Sequence, residues 1–129
     1  METILVVDDE AAVRSLARDI LVESGYRVLE AESGEQALRV VKEEPDTIHV
    51  VLTDVVMPGI DGKELADRLV ASRPYTKMIF MSGRAAEVMS DAGGLISSDT
   101  FLAKPFTPER LLSKVRTRLA YRSPFSRQR

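Results

Sequence analysis

The sequence predicts an α/β fold built on a parallel sheet with helices on both faces. Three observations point there. Short apolar, β-branched runs recur five times along the chain. Each is followed by a polar or Gly-rich turn and, in four of the five cases clearly, by apolar residues at helical spacing. The connections between them are short, as expected where strand and helix alternate in one layered domain. The 129 residues suffice for one domain with a real core and are too few for two.

Thr3 to Val7 reads as the first strand and stops abruptly at Asp8-Asp9-Glu10. Val13, Leu16, Ala17, Ile20 and Leu21 then follow a helical period, closed by Gly25. Tyr26 to Ala31 is a second strand. Ser33 and Gln36 form a capping box before a helix whose inner stripe is Ala37, Leu38 and Val41. Pro45-Asp46 ends that helix, and a central strand runs from about Ile48 to Thr53. Asp61 caps a helix with Leu65, Ala66, Leu69 and Val70 inward, and Pro74 ends it. Met78 to Met81 is the fourth strand. Arg84 to Asp91 reads as a short helix or irregular element, because each glycine of Gly93-Gly94 lowers helix propensity by about 1 kcal/mol. Thr100 to Ala103 is the fifth strand. Thr107 as N-cap and Pro108 at the first helical position open the last helix, with Leu111, Leu112, Val115 and Leu119 inward. From Tyr121 to Arg129 the periodicity is lost, giving a C-terminal tail or linker.

Composition excludes several classes of function. Hydrophobic residues at 44% and charged residues at 29% are those of an ordinary globular domain. A net charge of −2 gives no general attraction to nucleic acid or anionic membrane. The absence of cysteine removes disulfides, thiolate nucleophiles and Cys-ligated zinc, and fits a cytoplasmic protein. No apolar run approaches the roughly 20 residues that span a bilayer, and the first residues lack the pattern of a secretory signal.

The chemistry gathers at the strand ends. In an open α/β sheet, ligands bind beyond the C-terminal ends of the strands, near the switch in strand order. Asp8 and Asp9 follow the first strand, Asp54 ends the third, Ser82 the fourth and Lys104 the fifth. Carboxylates brought close together repel unless a cation sits among them, and hard oxygen ligands suit Mg²⁺, with Mn²⁺ as an alternative. A lysine and a hydroxyl opposite them suit a phosphoryl group. Asp54, in an apolar setting before Met57-Pro58-Gly59, is the natural nucleophile, since carboxylates can form aspartyl phosphates. Taken singly, Asp8-Asp9 reads as a helix cap, Ser82-Gly83 as a turn and Lys104 as a loop residue. Their joint placement is what argues for a site. His49, the only histidine, reads as a structural residue at a strand edge.

These residues resemble a known family. Val6-Val7-Asp8-Asp9-Glu10, the stretch Leu52 to Gly62, Met81-Ser82-Gly83 and Lys104-Pro105-Phe106, in this order and spacing, resemble the response-regulator receiver domain of two-component signalling, over about Glu2 to Leu119. The wording from Asp54 to Leu69 further resembles receivers attached to hybrid sensor histidine kinases. The resemblance implies a flavodoxin-like (βα)5 three-layer sandwich with strand order 2-1-3-4-5; the helix after the fourth strand, short or irregular by its Gly93-Gly94 and Ser97-Ser98-Asp99, departs from the family's common pattern. It implies a receiver domain over residues 1–120, with 121–129 as tail or linker. Asp54 would accept a phosphoryl group from the phosphohistidine of a sensor histidine kinase or histidine phosphotransfer domain. Asp9, Asp54 and the backbone carbonyl of Val56 would bind Mg²⁺ directly, and Asp8 largely through water. Lys104 would contact the phosphoryl group, Ser82 would turn inward to bond it, and Phe101 would follow as the switch aromatic. The Lys104-Pro105 bond is implied to be cis. Val56 and Arg84 would tune the lifetime of the phosphoryl group, and slow self-dephosphorylation is expected because Val56 offers nothing to orient a water. The domain itself would bind neither nucleic acid nor membrane and would not be a stand-alone enzyme. A monomer and a homodimer are both compatible with the sequence.

Three rivals share part of this inventory. An aspartyl-phosphate hydrolase of haloacid-dehalogenase type would place its nucleophile after the first strand, and Asp8 with Glu10 mimics that weakly. It would leave Asp54 unexplained. A flavin-binding domain would want a phosphate loop where this chain has Asp8-Asp9-Glu10. A receiver-like interaction module without phosphorylation would not require the whole set.

Overall fold

The computed structural model describes residues 1–84 and 97–120. Its strands are β1 (Thr3–Val7), β2 (Arg27–Ala31), β3 (Val50–Asp54), β4 (Lys77–Ser82) and β5 (Phe101–Ala103). They form one parallel sheet of order β2-β1-β3-β4-β5. The described helices are α1 (Ala11–Glu23), α2 (Gly34–Glu43), α3 (Gly62–Ser72) and α4 (Pro108–Ala120). The flavodoxin-like three-layer architecture expected from the sequence is therefore present. The short or irregular helix expected between β4 and β5, and the tail at 121–129, lie outside the described residues.

Strand alternation divides the core. Ile4 and Val6 of β1, Val50 and Leu52 of β3, Ile79 and Met81 of β4 and Leu102 of β5 pack on Ala17 and Leu21 of α1 and on Leu111 and Val115 of α4. The intervening residues Leu5, Val7 and Val51 face Ala37 and Val41 of α2 and Leu65 and Leu69 of α3. Residues two apart share a face, so a strand buried on both sides reads as a continuous apolar run. That is why Val50-Val51-Leu52 needs no polar alternation.

Local signals set the ends. Gln36 N–H donates to Ser33 Oγ at 3.0 Å, Glu64 N–H to Asp61 Oδ1 at 2.9 Å and Arg110 N–H to Thr107 Oγ1 at 3.2 Å, so the three expected caps form. Gly25 turns the chain after α1 with φ +96, a conformation few side chains tolerate. At the opposite end of the sheet from the strand C-termini, His49 Nδ1 accepts from Thr3 N–H at 2.9 Å, stitching β1 to the start of β3.

Candidate functional site

The sheet register brings the charged residues together. Val7 pairs with Thr53, so Asp8 and Asp54, each the next residue, emerge side by side. Asp54 pairs with Met81, and Ser82 with Ala103, so Lys104 follows at the far side of β4. Alternation then selects a face. Asp8 continues Ile4 and Val6, Asp54 continues Val50 and Leu52, and Lys104 continues Leu102, all on the α1/α4 face. Ser82 continues Phe80 instead, and Phe101 packs with Phe80, Val55 and Ala66 in a separate small cluster. Ser82 and Phe101 are thus placed on the α3 side, and the three charges on the other.

Lys104 Nζ stands among the acids. It is 2.8 Å from Asp8 Oδ2, 3.1 Å from Asp54 Oδ2 and 3.6 Å from Glu10 Oε1. Asp8 is fully buried and Asp54 is 8% exposed. Glu10 is exposed and comes in from the start of α1. Asp8 and Asp9 do not cap that helix. Its N-cap is Glu10, without a side-chain cap, and Asp8 Oδ1 instead accepts from Glu10 N–H at 2.9 Å.

Burial pushes the Asp54 carboxyl above the usual carboxylate range. Lys104 opposes this by charge and hydrogen bond, Asp8 adds to it by repulsion, and the Val56 N–H opposes it again. Burial also pulls the Lys104 ammonium down. Its contacts with Asp8 and Asp54 more than reverse this, so it is held above the ordinary lysine range. Burial thus outweighs the lysine at Asp54, whose carboxyl holds its proton more tightly than an exposed one.

The other sequence-singled residues fall around this centre. Asp9 is exposed. Among the described residues the carboxylates whose oxygens lie within 4.8 Å of one another are Asp8, Glu10 and Asp54. Glu10 is the functional candidate that sequence reasoning passed over. Its signal was its position directly after the acid pair, where a helix start turns a side chain back toward the sheet. Val56 is 59% exposed beside the acceptor strand. Ser82 Oγ is buried and accepts from Arg84 N–H at 2.9 Å, and Arg84 itself is exposed. The Lys104–Pro105 peptide is cis.

The residues fit a divalent cation. Asp8 Oδ2 is buried and, although ion-paired with Lys104, lies off the line of any hydrogen bond. This buried oxygen has only the Lys104 ammonium for a partner, and a cation among the acids would share it. Together with Asp54 and Glu10 it offers hard oxygen donors only, the set expected for an alkaline-earth or similar ion.

Comparison with known proteins gives the same direction. The response regulator receiver domain family matches residues 4–116. Sensor kinase CckA of Brucella abortus is 38% identical over 117 residues, covering 91% of this chain and 12% of that protein. Transcriptional regulatory protein ResD of Bacillus subtilis is 34% identical over 116 residues, covering 90% of this chain and 47% of that one. The chain thus spans under half the length of both relatives. Among solved structures, the receiver domain from hybrid histidine kinase CckA is 38% identical with a TM-score of 0.75, covering 91% of this chain and 98% of that one. TrrA from Thermotoga maritima, in complex with Mg(2+)-BeF, is 32% identical with a TM-score of 0.79, covering 92% and 99%. With the match running from the first strand through most of the last helix, the chain belongs to the response regulator receiver domain family of two-component signalling.

Proposed function

We propose that Asp54 is the phosphoacceptor of this receiver, taking a phosphoryl group from a phosphohistidine on a sensor histidine kinase or histidine phosphotransfer domain. The observation that carries this is the placement of Asp54 at the mouth of β3, 3.1 Å from Lys104 Nζ and within cation reach of two further carboxylates. One Asp54 carboxylate oxygen attacks phosphorus, the new O–P bond forms and the P–N bond of the phosphoimidazole breaks. The freed imidazole nitrogen keeps the electron pair and takes its proton from solvent. Lys104 offsets charge on the resulting acyl phosphate, and the rigid, buried β3 holds the nucleophile in line.

Asp8, Asp9 and Asp54, with the backbone carbonyl of Val56, are the residues assigned to Mg²⁺, with Mn²⁺ as an alternative, and Glu10 joins them at the rim. The ion supplies charge neutralisation between the acids and the incoming phosphoryl oxygens. The relative TrrA, solved with Mg(2+)-BeF, supports this, because a fluoroberyllate stands in for a phosphoryl group. Ser82, now bonded by the Arg84 N–H, would release that bond to reach the phosphoryl oxygen, and Phe101 would follow it. Exposed Val56 and Arg84 would set the lifetime. Residues 1–120 form the receiver and 121–129 a tail or linker. The domain acts in the cytoplasm as a switch and is not a stand-alone enzyme.

Incubation with acetyl phosphate or a phosphohistidine donor, with and without Mg²⁺, tests the proposal on wild type and Asp54→Asn. Mg²⁺-dependent uptake by wild type alone is expected. No uptake by wild type from either donor refutes it. Decay of the phosphoprotein within seconds would refute the slow-lifetime assignment to Val56 and Arg84.

A further inference from the structure

Asp8 has a partner at every polar atom. Its N–H donates to Ala31 O at 3.1 Å, Oδ1 accepts from Glu10 N–H at 2.9 Å, and Oδ2 faces Lys104. Its carbonyl accepts from Arg14 Nη1 at 2.7 Å. Oδ2 thus points to the centre where Asp54, Glu10 and Lys104 also meet. Among the described residues Arg14 is the side chain from beyond the β1–α1 loop that holds this loop by its backbone, alongside the loop's own Asp8 Oδ1.

The helix explains how it gets there. Arg14 N–H donates to Glu10 O at 3.0 Å, which closes the first turn of α1. Long side chains on a helix lean toward its N-terminus, so that of Arg14 returns over the loop that precedes α1. Its other edge is anchored on the sheet. Arg14 Nε lies 3.3 Å from Glu30 Oε1, and Glu30 sits on β2 opposite Val6. Arg18 Nη1 holds the second oxygen of Glu30 at 3.3 Å and is itself paired with Asp19 at 2.9 Å. A planar guanidinium can grip a carbonyl and a carboxylate on two edges, which a lysine ammonium at the same place cannot do in the same geometry.

We propose that Arg14, braced by Glu30, is a positioning residue that fixes the β1–α1 loop so that Asp8, Asp9 and Glu10 are presented to a divalent cation. The inference rests on the phosphoacceptor reading of this site. It touches neither the metal nor the phosphoryl group, so its effect passes through the loop. Two physical effects of removing Arg14 have opposite signs. Loss of a nearby positive charge would tighten cation binding by Coulomb's law. Loss of the loop's anchor would weaken it, as outer groups that orient ligands do, on the order of tenfold. The direct 2.7 Å bond to the loop, against a charge already paired with Glu30, makes the second effect dominate.

The test is Mg²⁺ titration by calorimetry on wild type, Arg14→Lys, Arg14→Met and Glu30→Gln, with amide hydrogen exchange on the metal-free proteins. The expected result is an Mg²⁺ dissociation constant raised on the order of tenfold in both Arg14 variants, with a smaller rise in Glu30→Gln. Amides of Asp9 and Glu10 exchange faster, while those of Leu52 and Thr53 in β3 do not, which separates loop release from general destabilisation. If Arg14→Met binds Mg²⁺ more tightly and Arg14→Lys matches wild type, charge alone acts and the proposal is wrong. Unchanged binding and exchange in all three variants also overturns it. Failure of wild type to bind Mg²⁺ or take up a phosphoryl group would instead sink the phosphoacceptor reading, with the exchange of Asp9 and Glu10 still deciding whether Arg14 holds the loop.

Discussion

Replacing Gly62 by alanine is expected to damage both stability and phosphoryl uptake, although alanine is the better helix former. Gly62 opens α3 and its N–H donates to Val55 O at 2.9 Å, which presses the start of α3 onto the end of β3. An added Cβ would lie 2.5 Å from Asp54 O, 3.0 Å from Val55 Cα and 3.2 Å from Asp54 C. Carbon atoms pack at about 3.5–4.0 Å, so the contact with Val55 Cα alone is short by about half an ångström. Every atom in the way is backbone, and none can rotate aside. Overpacking of this kind costs about 1–3 kcal/mol. Alanine returns up to about 1 kcal/mol of helix propensity, less at a first position. The net loss is about 1–2 kcal/mol, roughly a five- to thirtyfold fall in the folded-to-unfolded ratio. Relief by shifting the end of β3 also moves Asp54 out of line, and positioning of a nucleophile is steeply distance-dependent, so uptake should fall about tenfold or more. Urea unfolding at constant m-value and the rate of acetyl-phosphate uptake measure the two. Gly83→Ala is the control, because among the described residues its added Cβ meets nothing nearer than Lys104 O at 3.9 Å, and it should stay within about 0.5 kcal/mol of wild type. A Gly62→Ala protein as stable and as reactive as wild type would refute the reasoning, as would an equal loss in Gly83→Ala.

Four further outcomes follow from the same geometry. Lys104→Met leaves Asp8 and Asp54 without their ammonium and should lose about 2–4 kcal/mol in metal-free urea unfolding near neutral pH, part of it recovered by added Mg²⁺; no loss would show that the ion pairs contribute nothing. The pKa of Lys104 is raised, so its contribution is fully present below the unfolded lysine value and is lost as pH rises through the folded one; an unfolding series at alkaline pH reads this. The Asp54 carboxyl has a raised pKa, so the folded state holds its proton more tightly and ionising it opposes folding; Asp54→Asn should therefore be more stable than wild type at pH 7 without metal, with the gap closing as pH falls toward the unfolded aspartate value, and a variant less stable at pH 7 would contradict the sign. Arg73 bonds the carbonyls of Val41, Glu44 and Asp46 at the end of α2, so Arg73→Met should cost about 2–3 kcal/mol in urea while leaving Mg²⁺ affinity unchanged, since it acts at the other end of the sheet.

Much of the fold was legible because the local signals agree with one another. Ser33, Asp61 and Thr107 cap the helices they were expected to cap, and the five apolar runs are the five strands. Boundaries moved by a residue or two where the runs do not mark them. β3 extends to Asp54 because Asp54 still pairs with Met81, although a carboxylate is a poor strand signal. At the site, the strand ends told which residues converge, while side-chain direction in a loop was not encoded in spacing. Asp9 and Glu10 look equivalent in sequence. The turn formed by Asp8 Oδ1 and the Glu10 N–H, together with the start of α1, sends Glu10 toward Lys104 and leaves Asp9 exposed. Arg14 was invisible as a site residue because a basic residue on a helix is ordinarily a solvated one, and only the fold returns its side chain over the loop, to the Asp8 carbonyl and to Glu30 on β2.

The alternation of the strands separates Asp8, Asp54 and Lys104 from Ser82 and Phe101. Asp8, Asp54 and Lys104 extend the rows that pack on α1 and α4, so they meet one another and a cation. Ser82 and Phe101 extend the opposite rows, beside Phe80, Val55 and Ala66 next to α3. Lys104 is the counter-charge within the first group, and Ser82 Oγ accepts from the Arg84 N–H. A phosphoryl group on Asp54 would alter the first arrangement directly. Two routes lead from there to the second: Val55, the next residue along the chain and a member of the Phe80–Phe101 cluster, and Ser82, which follows the Met81 that pairs with Asp54. A switch with this layout changes the face that packs on α3 without requiring the face that binds the cation to rebuild its core, because the sheet between them stays paired throughout.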